Sequence, residues 1–330
     1  MSSRFGNRHG GGGGPGNGGR GRYPDGEQPD VDPKPFRPQG PPPPPRRAGG
    51  LQRYRLFFVL IAVFVGIAVV KGIVNKVDTQ GARHGRFVVF SAVLSATPGT
   101  PKPVPALAVV PPGGGEGRPL VVLIAGRGQT LESLLDNGFY ASLVALGLDA
   151  PNVAIVSVDR NSQAHDRADA KWGTYVLSEA IAEAIRPTGA DPKRVALGGF
   201  DDGGFGALDL ARLKPRRFCA VGAHSPEIWK SFGGARAGAF DDALEFSKHD
   251  LLKLAAAGRY PDVGPIRVDI GSDDPQLPAV KRLARALKAA GRSVDYHELA
   301  GRSSVGLWRA NSGNLLRFYA NALRTCADRG

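Results

Sequence analysis

Four loops of the chain carry the residues whose types and spacing could do chemistry, and each follows a short apolar run. The carboxylates Asp201 and Asp274 are the most reactive side chains in these loops. A carboxylate can act as a nucleophile, or it can orient a base. None of the four loops contains a histidine, the usual base. The loops are Gly126–Gly128, Gly199–Gly203, Gly271–Pro275 and Ala300–Ser304.

Alternating strand and helix patterns from Arg86 onward predict the scaffold that positions these loops. The order favours an α/β domain over residues 86–330, with a mostly parallel, doubly wound sheet and helices on both faces. In such a sheet, functional loops meet at the carboxyl ends of the strands. The predicted strands are Arg86–Ser95, Ala106–Val110, Pro119–Ala125, Val153–Val158, Arg194–Leu197, Phe218–Ala223, Ile266–Ile270 and Ser293–Leu299, and the predicted helices are Gly173–Ile185, Gly206–Leu213, Leu277–Ala290 and Asn311–Leu323.

Several ordered motifs resemble those of α/β-hydrolases, in particular exported actinobacterial esterases, which are distant kin of the mycolyltransferases and of esterase D. Residues Arg194–Ala211 read RVALGGFDDGGFGALDLA, where that family typically reads GGFSMGGFGALxLA around its nucleophile. Residues Gly222–Trp229 read GAHSPEIW against AAHSPALW. The runs DIGSDDP, LAGRSSVGLWR and LLRFYANAL resemble the family's acid loop, histidine loop and last helix. The resemblance covers roughly Leu120 to Leu323 and implies the α/β-hydrolase fold.

The same motifs depart from the family at two of its three catalytic positions. Asp201 stands at the nucleophile position and Ser303 at the histidine position, while Asp274 keeps the acid. Gly199 and Gly203 retain the small flanks that a tight strand-to-helix turn needs. Backbone N–H groups of Arg127 and Gly128, together with that of Asp202, are the implied oxyanion-hole donors.

Loss of the serine and the imidazole predicts that ordinary esterase turnover is absent. Removing triad members costs about a million-fold, and oxyanion binding alone leaves roughly 10³–10⁴ over water. An aspartate nucleophile forms an ester that needs a base to activate water, and Ser303 cannot serve as that base at neutral pH. A charged Asp201 would also repel an oxyanion forming beside it.

Cations could balance the two carboxylates Asp201 and Asp274. A guanidinium at Arg302, where relatives have glycine, could pair with either of them, or it could point to solvent. Arg127 is a second candidate partner, and a hard cation between the carboxylates is a third alternative. We otherwise predict no metal site and no cofactor. The histidines outside the tail and linker are interpreted as structural or surface residues, namely His165, His224, His249 and His297.

Charge and cysteine content exclude some classes of function. Of the net charge of +13, residues 1–55 contribute ten Lys and Arg against four Asp and Glu, so the predicted domain is only mildly basic. With no recognition motif present, we expect no nucleic-acid partner. Cys219 and Cys326 lack metal-site spacing, and they could form one disulfide or remain two buried thiols.

The N-terminal region predicts a membrane anchor. Leu56–Val70 contains no charge, and the apolar run extends if Lys71 snorkels, which gives a span over residues 53–75. Residues 1–52, rich in Gly, Pro and Arg, are predicted to be a disordered cytoplasmic tail, and residues 76–85 a linker. The arginines that crowd the start of the run favour a single-pass protein of the cell membrane with its globular domain outside.

Three functions remain open at this stage. The first is a catalytically degenerate hydrolase that binds a lipid, a glycan or an envelope protein with its old cleft. The second is an active ester hydrolase or acyltransferase with an atypical set formed by Asp201, Asp274 and Ser303. The third is a structural envelope protein that works through its tail. A cap-like insertion over residues 230–262, which covers the acyl pocket in relatives, would border the cleft in the first two.

Overall fold

A computed structural model describes residues 85–94, 102–112, 115–127, 129, 130, 133, 137–159 and 162–326. The predicted tail, the membrane span 53–75, nearly all of the linker and Gly128 lie outside this part of the chain. Among the residues that the structure describes, no helix is both long enough and apolar enough to cross a bilayer.

One eight-stranded sheet forms the centre of the described domain. The first two strands run antiparallel to their neighbours, and the other strands are all parallel. The spatial order is β1-β2-β4-β3-β5-β6-β7-β8. The strands are β1 (Arg86–Leu94), β2 (Lys102–Val110), β3 (Leu120–Ile124), β4 (Asn152–Val156), β5 (Val195–Phe200), β6 (Val221–His224), β7 (Ile266–Gly271) and β8 (Val294–Leu299).

The central strands are buried on both faces, and this explains why they read as continuous apolar runs. In β3, Leu120, Val122 and Ile124 face one hydrophobic cluster, while Val121 and Leu123 face the other. Alternate residues of a strand point to opposite faces of a sheet. The sheet therefore carries helices on both sides, as the sequence predicts.

The helices divide between these two faces. Helices α1 (Asn137–Val144), α8 (Val305–Ala310) and α9 (Ser312–Arg324) contribute to the cluster that contains Val121. The other face is covered by a continuous helix of α2 (Trp172–Thr174), a π-helical segment (Tyr175–Ala180) and α3 (Ile181–Thr188), together with α4 (Asp202–Leu213) and α7 (Leu277–Ala289). The sequence pattern missed α1, whose apolar positions are too few to show a clear period.

Between β6 and β7, the predicted cap contains a 3₁₀ turn (Phe232–Gly234) and two short helices, α5 (Ala243–His249) and α6 (Leu251–Ala256). Three of its aromatic side chains, Phe240, Phe246 and Tyr260, are buried in the hydrophobic cluster beneath it. The hydroxyl of Tyr260 donates to the carbonyl oxygen of Leu208 in α4 at 2.8 Å. These aromatics attach the cap to the core.

The two cysteines form a disulfide, which decides between the two alternatives that the sequence left open. Cys219 precedes β6 and Cys326 follows α9, and their Cα atoms are 5.5 Å apart. The bridge closes a separation of 107 residues and fastens the last helix to the sheet.

Candidate functional site

A sharp turn between β5 and α4 places Asp201 at the carboxyl edge of the sheet. Asp201 has φ 56° and ψ −121°, a conformation that non-glycine residues rarely adopt. Backbone hydrogen bonds hold the turn: the Asp201 N–H donates to the carbonyl of His224 at 3.0 Å, and the Asp201 carbonyl accepts from Gly204 at 3.0 Å. The predicted elbow is therefore present, with a carboxylate at its apex.

Glycine is required on both sides of this turn. A Cβ atom on Gly199 would lie 2.1 Å from the carbonyl oxygen of Gly203, and one on Gly203 would lie 2.5 Å from that of Ile124. The chain thus keeps the geometry of a nucleophile elbow although it has no serine there.

Arg127 is the cation that meets Asp201. Its Nη2 atom lies 3.5 Å from Oδ2 of Asp201 and 3.1 Å from Oε1 of Glu227, so one guanidinium joins two carboxylates. Burial raises the pKa of Asp201, and the charge and hydrogen bond of Arg127 offset that rise only in part. The carboxylate at the elbow is therefore engaged in an ion pair that spans the site.

Glu227 belongs to the site and was missed by sequence reasoning. Its carboxylate accepts a hydrogen bond from Gln163 Nε2 at 3.1 Å and also contacts the Arg236 guanidinium. Burial and the neighbouring charge of Asp201 raise its pKa from 4.5 to about 7. The available signal was its place in the run Gly222–Trp229, where the resembled motif has alanine.

Asp202 introduces a third acid where the resembled motif has methionine. The residue is buried, and burial together with the charges of Asp201 and Glu227 raises its pKa to about 8. Backbone hydrogen bonds from Gly203 and Arg127 moderate this rise. The Asp202 carboxyl thus lies beside the Arg127 N–H that the sequence assigns to the oxyanion hole. The second assigned donor, Gly128, lies outside the described residues.

The other predicted catalytic positions lie at the same edge of the sheet but do not assemble into a triad. Asp274 Oδ1 accepts from the Gln276 N–H at 2.8 Å, and its charge is close enough to contribute to the raised pKa of Asp201. Ser303 Oγ accepts from the Gly271 N–H at 3.2 Å. Ser303 therefore holds the loop after β8 against the end of β7.

Arg302 does not supply the balancing cation. The residue is exposed, and its side chain makes no ion pair or hydrogen bond with another described residue. Of the alternatives that the sequence left open, Arg302 thus points to solvent and Arg127 pairs with Asp201, and the strand order explains why. Arg127 projects from the loop after β3, the strand next to β5, whereas the Arg302 loop follows β8 at the far edge of the sheet.

The imidazole nearest to the elbow along the chain serves another purpose. His224 ends β6 and is fully buried, with Nδ1 2.8 Å from Asp269 Oδ2 and Nε2 2.9 Å from the hydroxyl of Tyr319. A carboxylate only accepts hydrogen bonds, so Nδ1 donates to Asp269, and Nε2 is hydrogen-bonded to the tyrosine hydroxyl. Both nitrogens are thereby occupied, and no described histidine ring contacts Asp201.

A polar cavity lies beside the elbow. A cavity of about 220 Å³ opens beside Asp202 and is lined by mostly polar residues, including Arg127, Thr130, Ser157 and Asp159. Three carboxyl groups and two guanidiniums surround the elbow, and a nucleophile with an attached base is absent from the described part of the chain. This chemistry suits recognition of polar groups through charge and hydrogen bonds.

Comparisons with known proteins agree with this architecture. A family model described as "Putative esterase" matches residues 102–311. Comparison with curated proteins gave no match. An S-formylglutathione hydrolase from Agrobacterium tumefaciens has a TM-score of 0.60 at 20% identity, covering 72% of this chain and 96% of that one. A ferulic acid esterase gives 0.58 at 17% identity, covering 72% and 98%.

A third solved structure, MPT51 (FbpC1) from Mycobacterium tuberculosis, has a TM-score of 0.52 at 17% identity and covers 71% of this chain and 99% of that one. At such identities the likeness establishes the fold, a mostly parallel α/β-hydrolase sheet with helices on both faces.

Proposed function

The chain belongs to the esterase family whose model it matches, and on that premise we propose that it is a catalytically degenerate member that binds ligands at its former active-site cleft. The observation that carries the proposal is the state of the elbow. Asp201 is paired with Arg127, and both nitrogens of the nearest imidazole along the chain are used elsewhere.

The substitutions around the elbow each remove a different catalytic function, and together they support the proposal. A serine hydrolase needs a hydroxyl, a base that takes its proton and donors that stabilise the oxyanion. Asp201 replaces the hydroxyl and Ser303 replaces the base. Asp202 places a carboxyl group beside the Arg127 N–H. One change alone would weaken catalysis, whereas changes in all three functions favour a different use of the cleft.

The polar lining of the cleft suggests the class of ligand. Charged and hydroxyl groups surround the 220 Å³ cavity, and this suits a glycan or the polar headgroup of a lipid better than an acyl chain. An envelope protein that offers a polar loop would satisfy the same groups.

We place this domain outside the cell membrane, tethered by residues 53–75 with residues 1–52 in the cytoplasm. The uncharged run Leu56–Val70 supports the tether. The Cys219–Cys326 disulfide supports the orientation, because disulfides persist in oxidising compartments and are rare in the cytosol.

One observation favours a second candidate, an active hydrolase with an atypical set. Glu227 shares Arg127 with Asp201 and lies close enough to hydrogen-bond the Asp201 carboxyl, and its pKa of about 7 suits a general base at neutral pH. In that scheme Asp201 would be the nucleophile, and Glu227 would activate the water that releases the product.

Steady-state assays of the purified full-length chain distinguish the two candidates. We expect no hydrolysis of short-chain p-nitrophenyl esters above the rate without protein, and no labelling by a fluorophosphonate probe. The Asp201→Ala variant should be indistinguishable from the wild type. Turnover that disappears in Asp201→Ala would contradict the degenerate reading and support the second candidate.

A further inference from the structure

A cluster of metal-ligating side chains lies beneath the cap, among residues that the function proposed above does not use. It consists of His165, Glu245 and His249. One ligand atom from each residue lies within 4.8 Å of the others, and Nε2 of His165 is 3.1 Å from Oε1 of Glu245. The sequence could not reveal this group, because 80 residues separate His165 from Glu245.

The second histidine of the cluster is already oriented for coordination. Nδ1 of His249 lies 2.7 Å from Oδ2 of Asp209, a fully buried carboxylate that also receives Arg212. Because the carboxylate accepts a hydrogen bond from Nδ1–H, Nε2 is the nitrogen left for a metal. A carboxylate behind the ligating histidine is the usual support of a zinc-bound imidazole.

The first histidine has an unsatisfied nitrogen. The side chain of His165 is 0% exposed, and its Nδ1 has no hydrogen-bond partner among the described residues. The ring stacks on Phe240 with centroids 5.0 Å apart, and the His249 ring lies 4.5 Å away. The other nitrogen, Nε2, faces Oε1 of Glu245 at 3.1 Å, so it is the atom that a metal shared with Glu245 would take.

We propose that these three side chains form a zinc site. Two imidazoles and one carboxylate are a donor set that zinc prefers, whereas magnesium and calcium prefer oxygen ligands alone. Zinc bonds of about 2.1 Å hold tetrahedral ligands about 3.4 Å apart, so the His165–Glu245 pair is already close to that spacing. Three protein ligands leave the fourth tetrahedral position for water.

The bound ion would join three parts of the domain. His165 lies in the loop after β4, Glu245 and His249 lie on α5 of the cap, and Asp209 lies on α4 behind the elbow. The same loop carries Gln163, which donates to Glu227 in the elbow cluster. Zinc therefore fastens the cap to the core beside the cleft and stabilises the loop that contacts Glu227.

Zinc binding by the full-length chain tests this site. The chelator-treated protein is dialysed against Zn²⁺ alone, and the bound metal is measured. We expect one site whose affinity falls at least tenfold in Glu245→Gln, which keeps the shape of the side chain, and about 10–100-fold in Asp209→Asn, which removes the orienting carboxylate. Zinc should also raise the melting temperature of the wild type and not that of Glu245→Gln.

His297→Gln is the matched control, since His297 lies on β8 and pairs with Asp295, and it should bind zinc as the wild type does. Circular dichroism confirms that each variant is folded, and His249→Gln replaces any that is not. Equal zinc affinity in the wild type, Glu245→Gln and Asp209→Asn would overturn the proposal. The absence of any zinc-dependent rise in the melting temperature of the wild type would overturn it too.

Discussion

Two neighbouring regions of this domain contain carboxylates with opposite electrostatics. At the elbow, Asp201, Asp202 and Glu227 crowd around Arg127, and the pKa of each carboxyl is raised by burial. Beneath it, Asp269 is more deeply buried, but His224 and Arg267 outweigh the effect of burial and lower its pKa. Carboxyl groups are therefore protonated more easily at the elbow, whereas the carboxyl group of Asp269 is held ionised.

The domain also contains a hydrogen-bonded imidazole–carboxylate pair, which lies away from the elbow carboxylate. His224 and Asp269 are joined like the base and the orienting acid of a hydrolase, yet the ring faces Tyr319 in the core. The elbow has the strained backbone of an active site, and no described histidine ring contacts its carboxylate. The elbow after β5 and the imidazole at the end of β6 thus lie on adjacent strands, with the imidazole ring facing the core.

The largest effect is expected from restoring the missing groups at the elbow. The double variant Asp201→Ser with Ser303→His should gain ester hydrolysis, since a complete triad is worth about a million-fold. Adding Asp202→Met removes the carboxyl group beside the Arg127 N–H. It should raise kcat by about a further 10²-fold, the typical contribution of one oxyanion-hole donor. Initial rates with p-nitrophenyl butyrate measure both steps.

The matched control is Asp202→Met alone, which should stay inactive because it supplies neither nucleophile nor base. Equal rates in the double and triple variants would show that the Asp202 carboxyl does not obstruct the oxyanion hole.

The next largest difference is expected in the free energy of unfolding when a carboxylate is removed from the core or from the elbow. Asp269→Asn breaks a buried, hydrogen-bonded charge pair and should lower the free energy of unfolding by about 3 kcal/mol or more. Asp201→Asn relieves repulsion within the acid cluster and should change it by less than about 1 kcal/mol. Denaturant unfolding of the two variants measures both values. Similar losses would mean that the elbow carboxylate is as well compensated as the buried one.

The pH dependence of stability should differ in sign between the regions. Glu227 and Asp202 hold protons in the folded state up to pH values of about 7 and 8, whereas the unfolded chain loses them near 4.5 and 3.8. The folded state therefore binds more protons in this window, and its stability falls as the pH rises through it. Asp269, with a lowered pKa, contributes stability at neutral pH that is lost in acid.

Thermal unfolding from pH 4 to 9 measures this dependence. Glu227→Gln should flatten the decline between about pH 5 and 7. An unchanged slope in Glu227→Gln would place the titrating group elsewhere.

The smallest effects are expected in the loop after β8. Ser303→Ala removes one half-buried hydrogen bond to Gly271 and should cost about 1 kcal/mol. Arg302→Ala should change the free energy of unfolding by less than about 0.5 kcal/mol, because the side chain is exposed and unpaired among the described residues. A larger loss of unfolding free energy in Arg302→Ala than in Ser303→Ala would show that Arg302 pairs with a carboxylate after all.

The fold follows from sequence to the extent that its apolar runs are continuous. Runs such as Pro119–Ala125 and Val153–Val158 predict β3 and β4 within two residues, because strands buried on both faces need apolar residues at every position. The predicted strand Ala106–Val110 begins four residues late, since Lys102–Pro105 alternate with prolines. Prolines are tolerated in this part of β2 because it pairs only with the outer strand β1.

The candidate site was only partly predictable. The loops containing Asp201, Asp274 and Ser303 were placed at one edge of the sheet from local patterns. The partner of Asp201 could not be read in this way, because Arg127 and Arg302 are equally charged and only the strand order brings Arg127 close. Glu227 and the His165 cluster depend on contacts across many residues, which a linear pattern does not encode.

The most direct test of the central claim is a pre-steady-state burst. p-Nitrophenyl acetate, in excess over the full-length chain, is mixed rapidly with it, and the nitrophenolate released per protein molecule is followed. An elbow whose carboxylate is paired with Arg127 and lacks a base should release no more nitrophenolate than Asp201→Ala. One equivalent released in a rapid phase by the wild type and absent from Asp201→Ala would show that Asp201 is a working nucleophile.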